Sequence, residues 1–354
     1  MGCVRVGIVG MGIGRTNGRA FARNPRCTVV ALCDLVEERM RAFAAELPTP
    51  VRCYTDYRKL CRDPEVDAIF VGTPNQLHVP VALEAVRNGK HVLVTKPLSD
   101  SVPAARRLVA AAEAAGVVNM MSLVARHRAA TRELRRLAAA GDFGEIYYAR
   151  AWSFRRSGIP TWSLGFIRRG GGAFRDMGVH VLDMAWWIMG MPRPISASGV
   201  AGAKFGPRGI GYWEWKPQPA EIAAQYEADD YAGGLIRFEN GAAVHVESFW
   251  AAHQPDDLQL ELFGTEAGAR FKPPTIYRTV DGVPVDVPLD VPGGPEPEAW
   301  DRLTEHFIAC ILDGIPCEAP LRHGLILQEM MEAVLKSAVT GREVRLDQQR
   351  GHTG

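Results

Sequence analysis

The stretch VRVGIVGMGIGRTNG, residues 4–18, decides the fold class of the N-terminal part. Residues 4–10 form a short apolar strand pattern, closely spaced glycines follow, and a helical pattern covers about residues 16–23. Glycines between a strand and a helix allow a tight turn and let backbone N–H groups approach a pyrophosphate at the helix N-terminus. The stretch therefore predicts a dinucleotide-binding turn, with a purely structural glycine turn as the alternative.

The spacing of these glycines departs from the usual G-x-G-x-x-G pattern. Gly10 and Gly12 fit its first half, whereas the third position is Arg15 and Gly14 comes one residue early. The residues predicted to bind the cofactor in this turn are Gly10, Gly12, Ile13 and Gly14.

A carboxylate stands where such a turn needs one. Asp34 ends a second strand pattern, residues 28–34, and lies 22 residues after Gly12. A carboxylate there hydrogen-bonds a ribose 2′-hydroxyl and repels a 2′-phosphate, so we expect NAD rather than NADP. A turn residue or helix N-cap is the alternative role of Asp34.

Strand and helix patterns alternate over about the first 120 residues, with further strands at 66–74, 91–97 and 117–124. This alternation is typical of a parallel α/β sheet. We predict a Rossmann domain over residues 1–122.

The pattern changes in residues 123–354, which we predict to be an α+β domain with a large, mostly antiparallel open sheet. Long strand patterns replace the alternation, and Asn240-Gly241 between two of them predicts a hairpin. Residues 206–219 and 287–297 are predicted loops. The predicted helices are 129–140, 298–313 and 323–340, and the sequence leaves open that the last two pack back on the first domain.

Composition excludes several classes of protein. The chain has 354 residues, 47% of them hydrophobic and 23% charged, with a net charge of +1, which argues against a nucleic-acid partner. No apolar run is long enough for a membrane span, and the N-terminus lacks the pattern of a signal peptide. The seven cysteines include no C-x-x-C pair, so we expect free thiols in a cytoplasmic protein and no metal site.

The stretch GGGAFRDMGVHVLDMAWW, residues 170–187, predicts a helix with an unusual polar stripe. Asp176, His180 and Asp183 are spaced i, i+4, i+7, and no Lys, Arg or Glu lies between Asp176 and Met191. Burying such groups without partners costs about 1–3 kcal/mol each, so we expect the stripe to face a polar ligand. An N-cap role for Asp176, a buried core histidine and a divalent-metal site are the alternatives.

Three stretches together resemble the Gfo/Idh/MocA oxidoreductase family, named after glucose–fructose oxidoreductase and inositol dehydrogenase. GTPNQLHVPVALEAVRNGKHVLVTKPL (residues 72–98) resembles its first signature, and residues 170–190 resemble its second, G-G-G-x-x-x-D-x-G-x-H-x-x-D. Residues 322–346 resemble its closing helix and strand, so the resemblance covers essentially the whole chain.

The resemblance implies a nicotinamide cofactor, a sugar or polyol substrate, and a homodimer or homotetramer formed through the C-terminal sheet. It implies catalytic roles for Asp176 and His180, a substrate-hydroxyl contact for Asp183, and contact with both cofactor and substrate for Lys96. The further residues that it implies at the cofactor are Thr73, Pro74, Asn75 and His78. Two other departures from the family pattern are Thr95 in place of a glutamate and Ala125 near a frequent arginine.

The chemistry of these side chains supports a hydride-transfer enzyme. His180 is suited to take the hydroxyl proton, Asp176 to orient its ring, and Lys96 to stabilise the reacting oxygen. Trp152 and Arg155 are further predicted substrate residues, and Phe154, Trp162 and Trp250 are candidate sugar-stacking aromatics, with core packing as their alternative.

The resulting hypothesis is an NAD-dependent dehydrogenase that acts on a secondary hydroxyl of a sugar, cyclic polyol or glycoside. The alternatives are an NAD-dependent glycosidase that works by transient oxidation and elimination, and a non-catalytic Rossmann sensor.

Overall fold

The computed structural model of the chain describes residues 2–291 and 296–346. Its strands are β1 (Val4–Val9), β2 (Cys27–Cys33), β3 (Arg52–Tyr54), β4 (Ala68–Val71), β5 (His91–Val94), β6 (Asn119–Met121), β7 (Ile146–Phe154), β8 (Pro194–Gly202), β9 (Tyr231–Phe238), β10 (Ala243–Phe249), β11 (Asp257–Gly264), β12 (Gly268–Arg270), β13 (Thr275–Val280), β14 (Val283–Pro288) and β15 (Val344–Arg345).

The α-helices are α1 (Ile13–Arg23), α2 (Glu37–Ala44), α3 (Tyr57–Arg62), α4 (Asn75–Arg87), α5 (Val102–Ala114), α6 (Ala129–Ala140), α7 (Val179–Ile188), α8 (Ala220–Ala223), α9 (Glu296–Leu312) and α10 (Leu321–Thr340). A π-helical turn, Phe174–Gly178, directly precedes α7. None of the helices in the described part of the chain is both long and apolar enough to span a membrane.

The chain forms two compact units. Within the described residues, the first comprises 2–127 and 296–326, and the second comprises 128–291 and 327–346. The first division lies between His127 and Arg128, a few residues beyond the boundary expected after residue 122. The second division lies inside α10, so α9 belongs to the first unit.

The first unit is built on a six-stranded sheet with the order β3-β2-β1-β4-β5-β6. All neighbouring strands are parallel, which confirms the predicted Rossmann sheet. Every residue of β4 is buried, as expected for a strand covered on both faces. The helix predicted from about residue 16 begins earlier, at Ile13. Gly14 permits this because its absent Cβ would lie 2.9 Å from the Ile8 side chain, so the first helical turn can approach β1.

The second unit is built on a nine-stranded sheet with the order β14-β13-β12-β11-β7-β10-β9-β8-β15. Only β7 and β10 pair in parallel, so the prediction of a mostly antiparallel sheet is confirmed. The predicted hairpin joins β9 to β10, and Gly241 takes the positive φ of +85° that its turn requires.

The predicted loop 287–297 is wrong at its start, because Val287 and Pro288 belong to β14. This strand lies at the edge of the sheet, where the missing N–H of proline is tolerated. Residues 292–295 lie outside the described part of the chain. The two C-terminal helices each begin slightly before the predicted residue.

Candidate active site

The glycine turn between β1 and α1 is shaped by close backbone approach. Gly10 has a φ of +91°, and a Cβ on it would lie 2.5 Å from the carbonyl oxygen of Gly72. A Cβ on Gly12, by contrast, would meet no atom of the described residues within 4 Å. The turn therefore needs glycine at position 10, while position 12 leaves open space at the N-terminus of α1. That is the arrangement that admits a pyrophosphate.

Asp34 follows β2 and lies directly beside this turn. Its Oδ2 accepts a hydrogen bond from the Met11 backbone N–H at 2.7 Å, and its Oδ1 accepts one from Val36 N–H at 3.0 Å. The carboxylate thus ties the end of β2 to the glycine turn. Each oxygen keeps acceptor capacity for a hydroxyl group, so the local role and the predicted ribose contact are compatible.

The loop that opens α4 holds a polar atom that lacks a protein partner. Thr73 Oγ1 is buried and makes no hydrogen bond within the described residues. An uncompensated buried hydroxyl costs free energy unless a ligand satisfies it. Together with the open space at Gly12, this atom fits a polar cofactor lying along the loop.

His78 lies in the interior of the first unit, between two loops. Its ring is fully buried, with Nδ1 2.7 Å from Pro97 O and Nε2 2.7 Å from Thr73 O. Burial lowers the pKa of the ring, and a neutral ring donates to only one of these carbonyls at a time. His78 therefore links the Thr73 loop to the residue after Lys96.

Lys96 lies just beyond the carboxyl end of β5 and is half-buried. The Lys96–Pro97 peptide bond is cis. The preceding residue, Thr95, is buried and donates its backbone N–H to Val71 O at 2.9 Å. Ligands of open α/β sheets bind outside this edge of the sheet, so Lys96 stands at the expected edge of the first unit.

In the second unit, two of the three glycines before the π-helical turn are required by close contacts. A Cβ on Gly171 would lie 2.0 Å from Phe166 O, and one on Gly172 would lie 2.0 Å from Asp229 Oδ1. Asp229 Oδ2 accepts the backbone N–H of Phe174, the first residue of the turn, at 2.9 Å. The glycines therefore let a carboxylate from a distant segment cap the helix that carries the polar stripe.

The predicted α-helix begins as a π-helix, and this alters the start of the stripe. Asp176 lies inside the π-helical turn, while His180 and Asp183 lie in α7. Asp176 and His180 are half-buried, whereas Asp183 is fully buried. Asp176 and His180 therefore keep exposed surface, whereas the Asp183 side chain lies in the interior.

Trp250 fixes the Asp176 carboxylate. Its Nε1–H donates to Asp176 Oδ2 at 2.9 Å, and its ring is fully buried. A row of edge-to-face aromatic contacts continues outward from this ring through Phe166 and Trp162 to Trp213. Trp162 and Trp213 are 61% and 40% exposed, so the row joins the buried end of Asp176 to an accessible aromatic surface.

The structure separates the other two predicted substrate residues. Ser153, on β7, faces the helix layer, since its Oγ lies 4.0 Å from Met177 Sδ. Trp152 therefore points to the opposite face of the sheet, where its Nε1–H donates to Asp257 at 2.7 Å. Arg155 instead lies near the aromatic row, with its guanidinium carbon 5.0 Å from the Trp213 ring centre.

Asp229 is the residue that sequence reasoning missed. Its side chain caps the π-helical turn across 55 residues of sequence, and burial raises the pKa of its carboxyl to about 6. Asp230 beside it accepts the backbone N–H groups of Lys204, Phe205 and Gly206. Two adjacent carboxylates before β9 could have indicated a structural role for Asp229 and Asp230. The backbone groups that they bind, however, are brought to them only by tertiary packing.

Comparison with known proteins gives the family. The model of the Gfo/Idh/MocA oxidoreductase family, with an NAD-binding Rossmann fold, matches residues 4–123, and the model of its C-terminal domain matches residues 131–270. The chain is 27% identical to D-glucoside 3-dehydrogenase of Escherichia coli (strain K12), over 97% of each protein. It is 26% identical to scyllo-inositol 2-dehydrogenase (NAD(+)) of Bacillus subtilis (strain 168), over 99% of this chain and 98% of that protein.

Solved structures show the same fold. A levoglucosan dehydrogenase in complex with NADH and levoglucosan superimposes with a TM-score of 0.82 at 21% identity, covering 98% of this chain and all of that one. The two family models together span well over half of the sequence. This chain is therefore an oxidoreductase of the Gfo/Idh/MocA family, with that family's NAD-binding Rossmann fold.

Proposed function

We propose that the protein is a dehydrogenase that uses NAD to oxidise, or NADH to reduce, one secondary-alcohol position of a sugar, cyclic polyol or glycoside. The observation that carries this proposal is the accessible pair Asp176 and His180, whose carboxylate is held by the buried Trp250. A fixed carboxylate one turn from an imidazole is suited to orient the ring and to stabilise its protonated form.

In the oxidation direction, the alcohol loses a hydride from carbon and a proton from oxygen. NAD, when bound, supplies the hydride acceptor. His180 takes the hydroxyl proton, and Asp176 stabilises the imidazolium that results. For Lys96 we propose a hydrogen bond from its ammonium group to the reacting oxygen, which stabilises the charge that develops there. His180 returns the proton in the reverse direction.

The preference for NAD over NADP rests on Asp34. Its carboxylate stands beside the glycine turn and already accepts the Met11 N–H, so its position is fixed before a cofactor binds. A hydroxyl of the ribose can donate to it, whereas a 2′-phosphate would meet a like charge at short range.

The accessible aromatic row supports a carbohydrate substrate. Sugars present apolar C–H faces that stack on aromatic rings, and Trp162 and Trp213 expose such rings at the outer end of the row. The neighbouring Arg155 adds hydrogen-bond donors for hydroxyl groups. The relatives named above as glucoside, levoglucosan and inositol dehydrogenases agree with this class of substrate.

We further propose that the protein forms a homodimer or homotetramer through the outer face of its large sheet. That face carries stacked and edge-to-face aromatic pairs of β7, β9 and β10, namely Trp152–Phe154, Phe154–Phe249 and Tyr231–Phe249. It also holds an open cavity of about 580 Å³ lined by charged groups that include Arg150 and Glu247. A cytoplasmic location is part of the proposal, because all seven cysteines, each within the described residues, are free thiols.

The first experiment measures the reduction of nicotinamide. The purified protein is incubated with NAD or NADP and a panel of inositols, aldoses, anhydrosugars and glycosides, while the absorbance of the reduced cofactor is followed. We expect a rise with NAD and one class of substrate, and no rise with His180→Ala, which should still bind NAD. A flat trace while a glycoside disappears would instead identify a glycosidase that oxidises its substrate only transiently.

A further inference from the structure

Three potential metal ligands meet at the end of α9, in the first unit. His306 and Cys310 lie one turn apart on this helix, and Cys317 belongs to the segment that joins α9 to α10. The His306 Nε2 and Cys310 Sγ atoms are 3.6 Å apart, and the ligand atoms of all three side chains lie within 4.8 Å of one another. Within the described residues, this is the one group of three or more such side chains with this geometry.

These distances are close to those of a metal site. Zinc bonds to sulfur at about 2.3 Å and to nitrogen at about 2.0–2.1 Å, so tetrahedral ligands stand about 3.4–3.8 Å apart. The observed separation of His306 Nε2 from Cys310 Sγ falls within that range. Two thiolates and an imidazole favour a borderline or soft cation over magnesium or calcium, which prefer oxygen ligands.

The present hydrogen bonds show what such an ion would replace. Glu318 N–H donates to His306 Nε2 at 2.9 Å, and the Cys317 thiol donates to Asn119 O at 3.8 Å. A bound ion would accept the Nε2 lone pair, and the two sulfurs would bind it as thiolates, with any thiol proton released to solvent. The Arg126 guanidinium donates to Glu318 O nearby.

We propose that His306, Cys310 and Cys317 form a binding site for a thiophilic divalent cation such as Zn²⁺, with solvent as the fourth ligand. This site lies outside the proposed dehydrogenase chemistry. In the sequence the three ligands form the pattern H-x₃-C-x₆-C. This pattern contains no C-x-x-C pair, and the sequence therefore predicts free thiols here.

The ion would join α9 to the segment that covers the edge of the Rossmann sheet. In that segment Ala319 O accepts the Met121 N–H at 2.8 Å, and Leu321 N–H, at the start of α10, donates to Asn119 Oδ1 at 3.2 Å. Both contacts fall on β6, the edge strand. Closing a metal link between α9 and this segment would therefore stabilise the edge of the first unit.

The test uses the full-length protein, reduced and freed of metal by a chelator. Zn²⁺ is titrated in competition with a chromophoric chelator, and Co²⁺ is used as a spectroscopic probe of thiolate ligation. We expect one Zn²⁺ per chain, thiolate-to-cobalt charge-transfer bands, and a higher melting temperature with Zn²⁺. Cys310→Ser, Cys317→Ser and His306→Gln should each weaken binding by about 100-fold or more.

Cys53→Ser is the matched control, because Cys53 is an exposed thiol outside the cluster. It should bind Zn²⁺ as the unaltered protein does. The proposal is overturned if the three cluster variants, shown to be folded by circular dichroism, bind Zn²⁺ as tightly as the unaltered protein. It is also overturned if the fully reduced protein takes up no metal.

Discussion

At the scale of single residues, Trp250 gives the sharpest test of the Asp176–His180 pair. Trp250→Phe keeps a buried aromatic ring and removes only the donor to Asp176 Oδ2. A hydrogen bond to a charged group contributes about 1.5–3 kcal/mol, so kcat should fall by roughly 10-fold to 100-fold. The dissociation constant of NAD should stay unchanged, because the glycine turn is untouched.

Trp213→Phe is the control for this measurement, since Trp213 is exposed at the far end of the aromatic row. It should alter KM for the sugar with little effect on kcat. Equal losses of kcat in the two variants would show that Trp250 acts through general packing and does not position Asp176.

Asp34 is tested by removing its charge without removing its acceptor. Asp34→Asn keeps an oxygen that can accept the Met11 N–H, and it abolishes the repulsion of a 2′-phosphate. We expect the ratio of kcat/KM for NAD to that for NADP to fall by about 10-fold or more. A 10-fold fall corresponds to a loss of about 1.4 kcal/mol in the discrimination between the two cofactors. Steady-state kinetics with both cofactors measure this ratio, and an unchanged ratio would remove Asp34 from the basis of cofactor selection.

At the scale of elements, the cap of the π-helical turn makes stability depend on pH. The pKa of Asp229 is raised by burial from 3.8 to about 6, so the folded protein binds this proton more tightly than the unfolded chain does. The stabilising effect is complete below pH 3.8 and is lost as the pH rises to about 6. The free energy of unfolding should therefore fall by at most about 3 kcal/mol across this range because of Asp229.

Asp229→Asn should remove that part of the pH dependence while it keeps an acceptor for the Phe174 N–H. Urea unfolding at a series of pH values measures the difference between the two proteins. Asp286→Asn changes an exposed carboxylate of β14 and serves as the control. A stability difference between the unaltered protein and Asp229→Asn that stays constant with pH would contradict the raised pKa.

The two loops at the carboxyl edge of the Rossmann sheet depend on His78. His78→Phe keeps a ring of similar shape, but Thr73 O and Pro97 O lose their side-chain partner. A buried polar group without a partner costs about 1–3 kcal/mol. The free energy of unfolding should fall by about that amount, and the melting temperature should fall with it. Calorimetry with and without NAD would show a weaker stabilisation by the cofactor, because Thr73 lies on the loosened loop.

At the scale of the whole molecule, the outer face of the large sheet predicts the oligomeric state. Phe154→Asp and Phe249→Asp each place a carboxylate among the aromatic pairs of that face. Burying an unpaired charge in an interface is strongly unfavourable, so both variants should sediment as monomers in analytical ultracentrifugation. Val339→Asp alters an apolar side chain that is 88% exposed on α10, and it should keep the assembly. Unaltered assembly in the first two variants would place the interface elsewhere.

Sequence reasoning predicted those features that local patterns determine. The strand–glycine–helix unit, the Asn240–Gly241 hairpin and the position of Asp34 all follow from spacing and residue type. It failed where partners come from distant segments. The cap by Asp229 and the link made by His78 each join segments that are separate in the sequence. The face on which Trp152 lies is set by the register of β7, which the sequence alone does not give.

The return of α9 to the first unit has a consequence for synthesis on the ribosome. Phe307 of α9 packs against Phe21 of α1, and Asp301 pairs with Arg23. The six strands of the Rossmann sheet emerge from the ribosome long before this helix does. At about 5–20 residues per second, the nascent chain waits on the order of ten seconds with that surface of α1 uncovered. A chaperone that binds apolar nascent segments has its opportunity in this interval, and a transcript cut short before α9 yields a product that keeps the surface exposed.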